Sequence, residues 1–155
     1  MRRVSNVPVP EENVAGIAVG VALHRIRPWT LPGPRALHHT IGWPLLTAGT
    51  YLVARSWAAA VDVDLSRPER LVTSGPYAVS RNPMYVGWAL LHLGVGVVSG
   101  SAWVIATLPP AAGFVHRQVI CEELTLAATF TEEFGRYQAA VPRYLSGVAR
   151  RRCSG

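Results

Sequence analysis

Residues 82–116 read NPMYVGWALLHLGVGVVSGSAWVIATLPPAAGFVH and contain no Asp, Glu, Lys or Arg. This run is long enough for two short apolar helices, and the Ser-Gly-Ser sequence at 99–101 supplies a turn between them. A helix in a soluble core would carry a polar stripe along its length, and this run has none. The pattern predicts a hydrophobic hairpin that crosses a membrane, with helices over residues 83–98 and 102–116.

The rest of the chain extends this interpretation. Half of the 155 residues are apolar and only 15% are charged, which is low for a soluble domain. A second stretch without charges, residues 36–54, predicts another span over about 36–61. The apolar stretch 13–24 is short, and it either crosses the membrane or lies in its interface. We therefore expect an all-α integral membrane protein with three to four transmembrane helices.

The arginines indicate an orientation for this arrangement. The two spans of the hairpin return the chain to the side it left, so the 62–82 connection and the C-terminal region face one compartment. These regions together contain more Arg residues than the 25–35 loop, which places them in the cytoplasm by the positive-inside rule. We divide the chain into residues 1–61, a leader with membrane spans, and residues 62–155, the hairpin with its cytoplasmic segments.

Composition also limits the partners. The net charge of +6 comes with no Lys, and no basic helix or interleaved aromatic patch suggests nucleic acid. Arg beside apolar spans, and the basic run at 150–152, fit the anionic headgroups of membrane lipid. Cys121 and Cys153 lack metal-ligand spacing and form no disulfide framework. We expect free thiols, no metal site and no nucleic-acid partner.

The first segment whose residues suit ligand binding or catalysis is residues 75–87, GPYAVSRNPMYVG. Asn82 suits an N-cap and Pro83 the first helical position. A helix that begins at a membrane surface directs unpaired N–H groups toward an anionic group such as a carboxylate. The alternative is a capped transmembrane helix whose Arg81 contacts lipid headgroups.

The second segment is residues 117–145, which we predict to form an amphipathic cytoplasmic helix and a short tail. Glu123 falls at helical spacing on the apolar stripe formed by Val119, Leu126, Phe130 and Phe134. A carboxylate there is costly unless it meets a cation or hydrogen-bond donors. Glu123 is either a site residue or the partner of a structural Arg, whereas Glu122 lies on the solvated face.

The two segments together resemble the isoprenylcysteine carboxyl methyltransferase and phospholipid methyltransferase group of membrane enzymes. That group shows G-P-Y, R-H-P-x-Y-x-G, a hydrophobic hairpin, E-E-x-x-L-x-x-x-F-G-x-x-Y and V-P-R. The resemblance covers about residues 62–145, and Asn82, Thr131 and Phe134 replace the His of R-H-P, the Gly of F-G and the Tyr that follows it. The matching residues are Gly75, Pro76, Tyr77, Arg81, Pro83, Tyr85, Gly87, Glu122, Glu123, Leu126, Phe130, Tyr137, Val141, Pro142 and Arg143.

The resemblance implies that both segments fold over S-adenosylmethionine at the cytoplasmic face. It also implies a lipophilic acceptor, a small molecule or a lipid-modified substrate with a carboxylate, amine or thiol, that enters from the bilayer. Glu123 and Arg143 are the predicted catalytic residues, although Arg143 is alternatively a headgroup contact. The predicted cofactor-binding residues are Tyr77, Arg81, Asn82, Pro83, Met84, Tyr85, Gly87, Glu122, Glu123 and Tyr137.

A second interpretation comes from another class of protein. Asn does not take a proton near neutral pH, so Asn82 and Thr131 favour a non-catalytic membrane protein of the same fold that binds a lipid or a protein partner. His92, alone inside a predicted span, is a functional candidate. A hydrogen bond to a neighbouring helix is the alternative for His92.

Overall fold

A computed structural model describes residues 10–63 and 70–145, and these ranges contain α-helices and no strand. The predicted all-α class is therefore confirmed for them. Residues 1–9 of the predicted leader, the basic run at 150–152 and Cys153 lie outside the described residues. The helices are α1 (Glu11–Ile26), α2 (Arg35–Ala60), α3 (Pro83–Val98), α4 (Ala102–Thr129) and α5 (Thr131–Ala140), with a 3-10 turn at Gly75–Ala78.

The hairpin is formed by α3 and α4. Its turn contains Gly100 at φ +63°, a left-handed conformation that glycine adopts without strain. The prediction that a separate helix spans 117–145 is wrong, because α4 continues to Thr129 and the break falls at Phe130. No Gly or Pro occurs from Phe114 to Thr129, so the ladder of backbone hydrogen bonds continues without interruption.

The predicted transmembrane helices are not supported. Across the described ranges, no helix combines the length and the apolar character needed to cross a membrane. The apolar helix α3 has 16 residues, a rise of about 24 Å, which is less than the ~30 Å hydrocarbon core. The longer helix α4 carries Arg117, Glu122 and Glu123 in its second half.

Helices α2 and α3 approach each other closely through small residues. Gly42, Gly49 and Ser56 are buried along one face of α2, and their seven-residue spacing keeps them on the same side of the helix. A Cβ atom added to Gly49 would lie 2.8 Å from the carbonyl oxygen of Gly87 and 2.9 Å from the backbone nitrogen of Leu91. The contact therefore has no room for a side chain at this position.

His92 joins three helices in the interior. Its side chain is buried, with Nδ1 3.1 Å from Asn13 Oδ1 on α1 and Nε2 2.9 Å from the Val104 carbonyl oxygen on α4. Nε2 also lies 3.2 Å from the hydroxyl of Thr107. Both ring nitrogens have partners, as a buried polar group requires. This geometry favours the structural interpretation of His92.

The α1–α2 loop closes one end of the bundle. The Leu31 N–H donates to the Gly100 carbonyl at 2.8 Å, and the Ala102 N–H donates to the Trp29 carbonyl at 2.9 Å. The indoles of Trp29 and Trp103 meet edge to face with centroids 5.1 Å apart. Because these contacts occupy the end of α3 and the start of α4, the start of α3 and the second half of α4 meet at the opposite end.

We predict that Gly49→Ala lowers the free energy of unfolding by about 1–3 kcal/mol, because the added methyl group clashes with the backbone of α3. Gly113→Ala is the matched control, since nothing lies within 4 Å of its added Cβ. This control is expected to be neutral or stabilising by up to ~1 kcal/mol, given the higher helix propensity of Ala. Chemical denaturation followed by tryptophan fluorescence measures both. Equal stability of the two variants would contradict the close contact.

Candidate active site

The segment before α3 is fixed by contacts with α5. Gly75, at φ +61°, begins the 3-10 turn. The phenol of Tyr137 donates a hydrogen bond of 2.6 Å to the carbonyl oxygen of Tyr77. Tyr137 belongs to a small buried cluster with Phe134 and Val141. This cluster anchors the 75–82 segment to the C-terminal part of the described chain.

Residues 80–82 then lie beside residues 142–143. The Arg81 N–H donates to the carbonyl oxygen of Pro142 at 2.9 Å, and the Ser80 hydroxyl donates to the carbonyl oxygen of Arg143 at 3.3 Å. The same Ser80 oxygen accepts from the Asn82 N–H at 3.2 Å. The two segments singled out in the sequence are therefore in direct contact.

The buried carboxylate of Glu123 lies at the centre of this contact. Glu123 is 6% exposed, in agreement with its position on the apolar stripe. Arg143 donates to it from Nε at 3.1 Å and from Nη2 at 2.9 Å. Nη2 of Arg81 lies 3.4 Å from the carboxylate, and the Asn82 amide donates to it at 3.3 Å. These groups supply the cations and donors that a buried carboxylate requires.

This cluster carries a surplus of positive charge. Two guanidinium groups share one carboxylate, and the hydrogen bond to Glu123 raises the pKa of Arg143 further. The Arg81 side chain is only 10% exposed, and its Nε has no hydrogen-bond partner among the described residues. The cluster therefore favours the approach of an anionic group.

Asn82 occupies the predicted N-cap position of α3, followed by Pro83 as the first helical residue. Its side chain does not cap the helix. Instead, the amide nitrogen donates to the carboxylate of Glu123 and, at 3.1 Å, to the carbonyl oxygen of Arg143. The first N–H groups of α3 thus have no cap from Asn82.

A second pair of side chains lies next to this cluster. The phenol of Tyr85 donates to the carboxylate of Glu122 at 2.7 Å. Glu122 is exposed as a whole residue, but its carboxylate lies in a cavity against Tyr85. This partial desolvation raises its pKa, the hydrogen bond from Tyr85 opposes the increase, and the negative charge of Glu123 adds to it. Burial also raises the pKa of Tyr77 to about 12, with a further contribution from the charge of Glu122.

Tyr85 and Glu122 border a surface cavity of about 690 Å³ between α1, α3 and α4. One wall is tied across helices, because Gln118 on α4 donates to Glu12 on α1 at 2.6 Å. The cavity presents carboxylates, one guanidinium group, a phenol and a thiol. Its lining residues are Pro10, Glu11, Glu12, Tyr85, Arg117, Gln118, Cys121 and Glu122.

The structure thus brings some of the predicted site residues together. Arg81, Asn82, Glu123 and Arg143 form one network, and Tyr85 and Glu122 line the cavity. The functional roles of these six residues stay predictions. The other predicted residues have packing surroundings: Pro83 and Met84 are buried in the first turn of α3, Gly87 contacts α2, and Tyr77 and Tyr137 pair near α5.

Sequence reasoning assigned no role to the α1 residues of the cavity, nor to Arg117, Gln118 and Cys121 on α4. Arg117 and Gln118 precede Glu122 by about one helical turn, so helical spacing along α4 could have identified them. Nothing in the sequence places Glu11 and Glu12 beside them, because the contact depends on how α1 packs against α4.

The family model of the phospholipid methyltransferases (PEMT) matches residues 37–133, which is more than half of the 155-residue chain. The chain belongs to the phospholipid methyltransferase family. This confirms the resemblance seen in the two segments. The match includes Arg81, Asn82 and Glu123 and ends before Tyr137 and Arg143.

Two curated relatives of this phospholipid methyltransferase family member carry names that refer to metal resistance. The cobalt-zinc-cadmium resistance protein CzcN of Cupriavidus metallidurans is 35% identical over 92 residues, 59% of this chain and 42% of that protein. The nickel-cobalt-cadmium resistance protein NccN of Alcaligenes xylosoxydans xylosoxydans is 30% identical over 105 residues, 68% of this chain and 48% of that protein. The chain thus spans less than half of either relative.

No solved structure matches the chain. Within residues 10–63 and 70–145, no group of three or more His, Cys, Asp and Glu side chains is placed to hold a metal ion.

We predict that Glu122→Gln becomes more stable relative to the wild type as pH rises. The raised pKa means that folded Glu122 holds its proton to higher pH than the unfolded chain does. Its stabilising contribution is therefore present at low pH and lost as pH rises through the folded pKa. Gln does not titrate and still accepts from Tyr85. Denaturation midpoints at pH 4 and pH 8 measure the difference in stability between the two proteins, and an unchanged difference would refute the raised pKa.

Proposed function

We propose that the protein is an S-adenosylmethionine-dependent methyltransferase that acts on a lipophilic acceptor at the cytoplasmic face of a membrane. One observation carries the proposal. The two segments that hold the family's motifs meet around Glu123, and their outer residues Tyr85 and Glu122 border a cavity of about 690 Å³. Ligand sites in proteins typically have volumes of about 300–1,000 Å³.

The residues of this cavity fit the chemical groups of the cofactor. S-adenosylmethionine has a sulfonium cation, an ammonium group, a carboxylate and ribose hydroxyls. Carboxylates such as Glu12 and Glu122 suit the ammonium and the hydroxyls, and the guanidinium of Arg117 suits the carboxylate. The ring of Tyr85 suits the sulfonium through its electron-rich face.

The geometry changes the role that we assign to Glu123. Its carboxylate is already engaged by Arg143, Arg81 and Asn82, so direct cofactor contact passes to Glu122 and Tyr85. Glu123 instead fixes the two segments relative to each other. The Arg143 side chain is 37% exposed, which leaves part of its guanidinium available to orient an anionic acceptor.

The chemistry requires alignment more than proton transfer. When bound, S-adenosylmethionine would supply a methyl group to the acceptor, and its sulfur would leave as a neutral thioether in line with the attack. The residues of the chain hold the two reactants in this arrangement, and such positioning supplies a large part of an enzymatic acceleration. A strong general base is not required, which is compatible with an amide at Asn82.

The exterior of α2 supports a membrane location. Large apolar side chains are exposed along this helix, and an apolar surface of this kind on a small protein marks an interaction site. We assign membrane lipid as its partner, so that the acceptor reaches the site from the lipid phase. The exposed side chains are Leu37, Ile41, Trp43, Tyr51 and Trp57.

Calorimetry on detergent-purified protein tests cofactor binding. The wild type is expected to bind S-adenosylmethionine, and Glu122→Gln to weaken binding by roughly tenfold or more, because a charge-assisted hydrogen bond contributes about 1.5–3 kcal/mol. Glu133→Gln makes the same chemical change at an exposed position on α5 and is expected to bind like the wild type. A wild type without binding, or Glu122→Gln with full affinity, would overturn the assignment.

One observation favours the second candidate, a non-catalytic membrane protein of the same fold. The Asn82 amide has no proton to exchange near neutral pH, and its two N–H groups are used within the protein. Radiolabelled cofactor incubated with a membrane lipid extract separates the candidates. A labelled lipid product is expected for the enzyme, whereas cofactor binding without any labelled product would favour the non-catalytic protein.

A further inference from the structure

We propose that Asn82 is a positioning residue that holds Arg143 against Glu123 through a two-donor contact independent of pH. Its amide nitrogen lies 3.1 Å from the carbonyl oxygen of Arg143 and 3.3 Å from Oε1 of Glu123. One NH₂ group therefore links the main chain of Arg143 to the carboxylate that binds the Arg143 guanidinium. We call this set of contacts the clasp. Its effect on cofactor binding rests on the proposed function.

The rest of the clasp restrains Arg143 at its main chain and its side chain. Ser80 donates to the same carbonyl oxygen at 3.3 Å, and the Arg81 N–H pairs with Pro142 at 2.9 Å. The guanidinium reaches Glu123 with two nitrogens, yet the Arg143 side chain remains 37% exposed. An exposed arginine has many conformations in water, so its direction depends on these contacts.

The chemistry of the clasp calls for an amide. Its two acceptors, a carbonyl oxygen and a carboxylate oxygen, need two N–H groups, and a primary amide offers both at every ordinary pH. A neutral imidazole offers one N–H and gains a second only when protonated, while a carboxylate offers none. Asn82 also leaves the α3 N-cap hydrogen bond unmade in favour of these two contacts.

The charged and titratable groups around Asn82 come from three directions. Arg81 precedes it, Glu123 faces it from α4, and Arg143 with its neighbour Tyr144 faces it from the C-terminal segment. Arginine stays protonated throughout the usable range, and burial raises the pKa of Tyr144. Arg81, Arg143 and Tyr144 therefore keep their charge between pH 6 and pH 8. His116 on α4 also contacts Tyr144, with Nδ1 2.9 Å from its hydroxyl, so each variant is compared with the wild type at the same pH.

The test compares Asn82→His with Asn82→Ser in the full chain without cofactor. Trypsin cleaves after Arg143 only when its guanidinium leaves Glu123, and mass spectrometry identifies this cleavage. Rates are normalised to an added peptide substrate at each pH. The wild type should be cleaved equally slowly at pH 6 and pH 8. Asn82→His should be cleaved roughly tenfold faster at pH 8 than at pH 6, since imidazole loses its second N–H near pH 6.5.

Asn82→Ser keeps a single donor, so its cleavage should be faster than that of the wild type and equal at both pH values. It also keeps the proposal testable if Asn82→His does not fold. A role in folding alone would produce no pH profile in Asn82→His. A flat profile in that variant, or wild-type cleavage in Asn82→Ser, would overturn the proposal.

Calorimetry with S-adenosylmethionine adds a separate readout. The affinity of Asn82→His is expected to fall from pH 6 to pH 8 by about the same factor as cleavage rises, while the wild type changes little. If the wild type binds no cofactor, the proposed function fails while the cleavage rates still decide the clasp. If binding is insensitive to Asn82→His although cleavage changes, the link between the clasp and the cofactor is refuted.

Discussion

A carboxylate that is buried loses several kcal/mol of solvation free energy, and hydrogen bonds and ion pairs within the fold must compensate for this loss. The partners of Glu123 come from both sides: Arg81 and Asn82 precede α3, and Arg143 follows α5. Each partner belongs to a segment without long regular structure of its own. The burial of one side chain on α4 therefore dictates how two irregular segments are arranged beside the cavity.

Local patterns in the sequence were sufficient for much of this arrangement. The run without charges and its Ser-Gly-Ser turn predicted the bounds of α3 and the start of α4. Helical periodicity placed Glu123 on a buried stripe and Glu122 on the exposed face. These features depend on neighbours three or four residues away, which is the range over which helical spacing is informative. The family resemblance further predicts that the two segments fold over one site.

Contacts between residues that are distant in the sequence cannot be predicted from local spacing. The ion pair between Arg143 and Glu123 joins residues twenty positions apart, and helical spacing does not predict it. The cavity wall from α1 depends on packing between helices at opposite ends of the chain. Membrane crossing was inferred from missing charges, but a run without charges does not fix helix length, and α3 ends after 16 residues. Hydropathy predicts a helix end near residue 116, where charged residues begin again. The helix α4 continues past this point because no Gly or Pro interrupts it there.

The continuity of α4 has a consequence for how such a chain tolerates changes in length. Its start is pinned by the turn at Gly100 and its second half carries Glu122 and Glu123. Each residue advances a helix by about 100°, so inserting or deleting one residue between these points would turn Glu123 away from its partners. The number of residues between the hairpin turn and the carboxylate is therefore constrained by helix geometry, in a way that the length of a surface loop is not.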